Sequence, residues 1–279
     1  MYNLVVNNNT TNGFSVFIIH YSKLVKRKAF LDSVINREKL LVNWVTENNY
    51  NFFKIAPISG KNIMGISPKI LGMDLGVNSR SLVFSRRKAR YQGYVLFLRS
   101  FISHKNNLLT TGSLPIKKSL PESQLEVQRM HITALKRGIE TNSKWILILE
   151  DDAIPTEGAF ELVKKISENI RPSNIWINLN SGAGLKRTTS DPIPDSFGLF
   201  QVTPAATRCA TACLISRDLA INILELIDKH GLPEWLPIDL ILQAALRKTK
   251  ARAFWQEPVS FIQGSEEGHY ESSLAGKRG

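Results

Sequence analysis

Cysteine is scarce in this chain: Cys209 and Cys213 are the two among 279 residues. With three residues between them and no second pair, they argue against a disulfide framework and against a structural zinc site. They read as reduced, partly buried thiols, which suits a reducing cytoplasm. Long apolar runs are also missing. The longest, Trp145 to Leu149, has the length of a buried strand, well short of the roughly 18 residues that span a bilayer. Met1 to Gly13 lacks a basic segment followed by an apolar one, so it does not read as a signal peptide. The expected location is cytoplasmic, with membrane contact peripheral, at the inner face. No internal repeat or low-complexity domain is present.

What is there is ordinary globular material. Hydrophobic residues make up 43% and charged residues 22% of the chain, enough for a sizeable core and against bulk disorder. The formal net charge is +12, which attracts polyanions: nucleic acid, an anionic membrane face or phosphate-bearing substrates. The densest basic clusters, Lys26 to Lys28 and Arg86 to Arg90, read equally well as solvated surface.

The pattern predicts an α/β chain. Phe14 to His20 reads as a strand, Ser22 to Ile35 as a helix with Leu24, Val25, Phe30, Leu31 and Val34 inward, and Leu40 to Thr46 as a strand. That order opens a parallel sheet. Residues 51–120 read as a variable insertion or lid, with one element from Tyr91 to Phe101. Ser123 and Glu126 form a capping-box pattern ahead of a helix, which Asn142 and Ser143 end. A strand from Trp145 follows, then a helix over Glu157 to Ile170 and a strand over Asn174 to Asn178. Residues 180–196 are a loop. Strands are expected over Phe197 to Val202, Thr211 to Ile215 and Ala251 to Trp255, and helices from Ser216, as cap, to His230 and over Ile238 to Arg247. Residues from Gly264 read as a polar tail.

The chemistry concentrates after the strand at Trp145. Glu150, Asp151 and Asp152 stand where the C-terminal end of a buried strand opens into the crevice used by α/β sheets. Three adjacent carboxylates repel unless a cation or hydrogen-bond donors compensate them. A hard Mg²⁺ or Mn²⁺ prefers such oxygens and neutralises a leaving diphosphate. The alternative is an acidic helix start in solvent.

The segment from Gln128 to Pro155, with His131 in a helix and Leu-Glu-Asp-Asp-Ala ending the strand, resembles the family 25 glycosyltransferases, which include lipooligosaccharide and collagen galactosyltransferases. Met130 stands where that family has Ser. Phe17 to Ser22 with Arg27, Thr211 to Arg217 and Leu236 to Asp239 are similar to three further family segments in the same order. The resemblance spans about two thirds of the chain and is absent over 50–120. It implies a GT-A-like single domain, a central mixed, mostly parallel sheet flanked by helices, with 14–50 as the nucleotide-binding start, 121–263 as the acidic and acceptor half and 264–279 as the tail.

It also implies an inverting hexosyltransferase that moves a sugar, galactose in the family, from a UDP-sugar to a glycan such as lipopolysaccharide. Asp152 is then expected to bind Mn²⁺ or Mg²⁺, with Glu150 as a further ligand that also lies near the ribose or sugar. Asp151 is expected to reach either the sugar or a hydrogen-bond donor behind the ligands, and Asp239 to act as the base that an inverting transfer requires. His20, Tyr21, Arg27 and His131 are expected around the nucleotide, and His269 at the metal, because related folds bring a C-terminal His there. Each has a plainer reading. His131 and His20 fit packed structural positions, Arg27 a solvated helix face, and Asp239 a helix cap. Trp235 suits either a sugar face or the core, while Trp44, Trp145, Trp176 and Trp255 suit the core. Expected partners are the nucleotide-sugar donor, a glycan or lipid-linked acceptor and an anionic membrane surface. Two alternatives remain: a catalytically inactive transferase-fold binding module, and a basic nucleic-acid-binding or metal-dependent nuclease domain. No zinc-finger, helix-turn-helix or RNP signature supports the latter, and no nucleic acid is expected.

Overall fold

The computed structural model describes residues 13–50, 122–181, 187, 191–203, 209–232, 237–265 and 267–270. The expectations for 51–120, Arg86 to Arg90 and Trp235 lie outside these residues.

Nine strands and five helices are described, in the order β1 (Phe14–His20), α1 (Val25–Glu38), β2 (Val42–Thr46), α2 (Glu122–Glu140), β3 (Trp145–Glu150), β4 (Ala153–Pro155), α3 (Ala159–Asn169), β5 (Ile175–Asn178), β6 (Leu199–Val202), β7 (Ala212–Ser216), α4 (Arg217–His230), α5 (Ile238–Lys248), β8 (Arg252–Gln256) and β9 (Phe261–Gln263). Seven strands form one sheet in the order β2-β1-β3-β7-β5-β8-β6, and β4 pairs with β9 in a second. In the large sheet β1, β2, β3, β5 and β8 run one way, and β6 and β7 run antiparallel to their neighbours. The chain is thus an α/β domain around a mixed, mostly parallel sheet flanked by helices. Among the described residues no helix is long and apolar enough to cross a membrane.

Both faces of the sheet are covered, which is why its central strands are almost wholly apolar. Side chains alternate along a strand. Phe17, Ile19, Ile146, Ile148, Cys213 and Ile215 therefore meet α2, α4 and α5 on one face. Val16, Ile18, Trp145, Leu147, Leu149 and Leu214 meet α1 and α3 on the other. Trp145 to Leu149 are all buried. At about 1.5–3 kcal/mol for each fully buried large apolar side chain, this burial holds the strand end in place against the repulsion of the carboxylates that follow. Gly138 in α2 lies against Ile146, close enough that an added Cβ would come within 2.6 Å of the isoleucine Cδ1. The helix that carries His131 thereby approaches β3 more closely than a bulkier residue would allow.

Several expectations are corrected. Helix α1 begins at Val25, because Ser22 is held in the preceding turn: its hydroxyl donates to Glu47 Oε1 at 2.5 Å and its N–H lies 3.1 Å from the same carboxylate. Val25 is 68% exposed and does not face the core. Arg27 does, beside Leu31 and Val34. Ser123 lies inside the first turn of α2, not at its cap. Its carbonyl accepts the Tyr21 hydroxyl. Ser216 precedes α4 but makes no capping bond; its Oγ accepts the Ile175 N–H at 2.9 Å and so ties β5 to β7. Gly231 does end α4, with φ 81°. Trp145, Trp176 and Trp255 are buried. Trp44 is partly buried, edge-on to the His20 ring at 5.4 Å.

Candidate active site

The register of the sheet assembles the site. Parallel pairing sets Ile19 of β1 opposite Glu150 of β3, so His20 falls beside Asp151. Antiparallel pairing sets Leu149 opposite Ala212, so Thr211, just before β7, falls beside Glu150. The Glu150 N–H donates to the Thr211 carbonyl at 2.8 Å. Three consecutive carboxylates thereby meet three different surroundings.

Glu150 leans toward α2 and β7. The His131 Nε2–H donates to its Oε1 at 2.9 Å, and the Thr211 hydroxyl to its Oε2 at 3.4 Å. A carboxylate only accepts, so the bond fixes which His131 nitrogen carries hydrogen. His131 is buried, and among the described residues its Nδ1 has no partner.

Asp151 is buried and fully engaged. Arg27 Nη1 donates to Oδ1 at 2.5 Å, and Oδ2 accepts His20 Nδ1–H at 3.0 Å and the Tyr21 N–H at 3.3 Å. Arg27, at 5% exposure, is as hidden as its partner, and the Tyr270 ring stacks on its guanidinium at 5.1 Å. Both Asp151 oxygens are spent on a buried clamp between β1, α1 and β3. The same clamp uses His20, the Tyr21 backbone and Arg27, the groups expected around the nucleotide. Tyr21 is buried as well, and burial, then the Glu126 charge, raises its phenol well above the ordinary range. Removing one side of a buried ion pair leaves the other uncompensated. Arg27→Met is therefore expected to cost about 3 kcal/mol of stability, read as a fall in the urea midpoint.

Asp152 is also buried, and burial pushes its carboxyl above the usual range, opposed by the Ser265 bond and the Arg27 charge. Ser265 donates its hydroxyl to Oδ2. Oδ1 has no partner. The Gly264 N–H donates to the Asp152 carbonyl at 2.8 Å. The segment read from sequence as a polar tail thus folds onto the acidic turn over 264, 265 and 267–270. Gly264 permits this fold, since a Cβ there would come within 2.6 Å of the Tyr270 ring. His269 is in this segment, but its ring is exposed and its backbone N–H bonds to the Gly264 carbonyl.

Asp239 sits in the first turn of α5, one residue past the first helical position, with Pro237 at the cap. The N-cap reading is therefore corrected. Its Oδ1 accepts the Ala210 N–H at 2.7 Å. Burial, then the Glu150 charge, raises its pKa to about 6, and His131 opposes the rise. Burial, then the Glu150 and Asp239 charges, raises the Cys213 thiol, so Asp239, Glu150, His131 and Cys213 share one electrostatic neighbourhood.

Among the described residues no three His, Cys, Asp or Glu side chains group so as to hold a metal ion. Glu150, Asp152 and His269 are thus not a ready-made ligand set. The donors nearest to fitting a hard cation are oxygens around Asp152, where a buried carboxylate oxygen is left open. Sequence reasoning missed Ser265, Tyr270, Thr211 and the Ala210 N–H. Their signal is spatial: Ser265 lies 113 residues from Asp152. Compared with known proteins, the chain matches no family model, and no curated protein matches it closely enough to be named as a relative.

Proposed function

We propose that this chain is an inverting, metal-dependent glycosyltransferase of GT-A type that uses a uridine diphosphate sugar. The observation that carries this reading is the acidic turn at the C-terminal end of β3, with the buried Asp152 Oδ1 open. Strand ends of this kind are the ligand crevice of α/β sheets. The resemblance of the segments around His20, His131, Asp152, Ser216 and Asp239 to family 25 glycosyltransferases supports the same class. Asp152 would hold a divalent cation, Mn²⁺ or Mg²⁺, which would supply charge neutralisation to the leaving diphosphate.

The chain's own residues do the rest. The Arg27–Asp151–His20 clamp fixes the backbone on which Asp152 sits. Glu150, held by His131 and Thr211, keeps a negative charge near Asp239. Asp239 takes the proton of the acceptor hydroxyl as its oxygen bonds to the sugar's anomeric carbon. The bond from that carbon to the diphosphate breaks, and its electron pair leaves with the nucleotide. Galactose as the sugar and a lipopolysaccharide-type glycan as acceptor rest on the resemblance alone. The +12 net charge supports peripheral contact with an anionic membrane carrying a lipid-linked acceptor.

One observation favours a second reading, a binding module without turnover: both oxygens of Glu150 and of Asp151 already have partners inside the protein. Isothermal titration with uridine diphosphate, with and without Mn²⁺, tests both. Cation-dependent binding, followed by release of labelled sugar from the donor, supports the enzyme. Binding with no release supports the module. No binding in the presence of Mn²⁺ rules out the nucleotide-sugar reading.

A further inference from the structure

The turn after β9 offers oxygen donors that the acidic triplet does not contain. Strand β9 pairs with β4 so that Gln263 lies opposite Ala153, one residue from Asp152. From there a short polar chain runs inward. Gln263 Nε2–H donates to Ser265 Oγ at 3.4 Å, and the Ser265 hydroxyl donates to Asp152 Oδ2. The two ends of this chain are unsatisfied. Asp152 Oδ1 and Gln263 Oε1 are both shielded from solvent and both lack a hydrogen-bond partner among the described residues. An orphaned buried acceptor is costly, so one in the turn after β3 and one at the end of β9 call for an occupant. Both are acceptors, so the occupant must be a donor or a cation. Carboxylate, carboxamide and hydroxyl oxygens together are the donor set of a hard divalent ion. Such a set contains a single His, Cys, Asp or Glu and so is compatible with the lack of a group of three.

We propose that Gln263 and Ser265 join Asp152 as oxygen ligands of a divalent cation, so that the segment after β9 completes the cation site. The inference deepens the transferase reading and rests on it for the cation's role. The Gln263 amide contributes Oε1, the Ser265 hydroxyl contributes Oγ, and Asp152 contributes the oxygen left open. Glu150 and Asp151 stay with their protein partners. Because the ligands come from β9 and its turn as well as from the end of β3, the cation joins the two segments.

The test is Mn²⁺ titration of the full chain followed by electron paramagnetic resonance, with and without uridine diphosphate, alongside the thermal unfolding midpoint. Wild type is expected to bind Mn²⁺ and to unfold at a higher temperature with it. Gln263→Leu and Ser265→Ala should each weaken Mn²⁺ by about tenfold or more. Gln263→Glu, which keeps an oxygen and adds charge, should restore or tighten binding and so separates ligation from a packing defect. If Gln263→Leu and Ser265→Ala bind Mn²⁺ as wild type does while Asp152→Asn does not, the two residues are only neighbours of Asp152; this inference falls and the transferase reading stands. If wild type binds no Mn²⁺ or Mg²⁺ even with the nucleotide, both fall.

Discussion

Asp152→Asn is expected to lower kcat/KM for sugar transfer by about 10³-fold, the scale of losing a main electrostatic stabiliser of the departing group, and to leave the fold intact. Asparagine keeps the volume and can still present an oxygen to the Ser265 hydroxyl, so the turn keeps its bonds. What it removes is the negative charge that would hold a divalent ion. Stability should move the other way. Burial is the main reason the Asp152 carboxyl is raised, so its ionised form is held less favourably in the folded chain than in the unfolded one. Neutralising it should leave the unfolding temperature unchanged or higher. Steady-state assays with labelled donor at saturating Mn²⁺, paired with thermal scans made without divalent cation, read both. Full turnover by a folded Asp152→Asn would remove this residue from the chemistry.

Asp239→Asn is expected to reduce kcat by about 10²–10⁴-fold, the range for losing a positioned base. The wild-type rate should rise with pH through about 6, because Asp239 works only when ionised and its pKa stands at about 6, not at 3.8. Burial is the larger cause and Glu150 the next. Glu150→Gln should therefore move the acid limb to lower pH. Stability has the opposite slope. Between pH 3.8 and about 6 the folded chain holds a proton that the unfolded chain has released, so the stabilisation tied to this group is full at acid pH and lost as pH rises through about 6. Asp239→Asn, which keeps an oxygen for the Ala210 N–H, should then gain roughly 1–3 kcal/mol at pH 7.5. A variant that loses turnover while gaining stability would separate a working carboxylate from a helix-start residue. A rate independent of pH between 5 and 8 would remove Asp239 from the chemistry.

The layers of the fold could be read from the chain because they are built from strong local signals. Phe14 to His20 and Trp145 to Leu149 are apolar runs of strand length, and the structure has strands there. Helices α4 and α5 fall within one residue of their expected spans. Strands β4 and β9 had no comparable signal. Each is three residues long, too short for a periodicity, and each exists because of a partner about a hundred positions away. The site followed the same division. The acidic triplet and Asp239 stand out locally, but the differing surroundings of Glu150, Asp151 and Asp152 do not. Arg27 is the clearest case. A basic residue early in a helix reads the same whether it grips a phosphate or a buried aspartate, and only the register of β1 against β3 decides. Val25 and Ser216 misled for a related reason: helical spacing and a cap-type residue describe what a position permits, while a neighbouring strand or turn decided what it does.

The reversed direction of β7 has an evolutionary consequence. In an all-parallel sheet, the strand beside β3 would send its own exit to this edge. Here an incoming segment arrives instead, carrying Ala210 and Thr211 to Asp239 and Glu150. Lengthening or rewriting the stretch that leads into β7 would then alter the rim around the carboxylates without disturbing how any parallel strand leaves the sheet. New specificities can be tried there by insertion, on a scaffold whose crossovers stay the same.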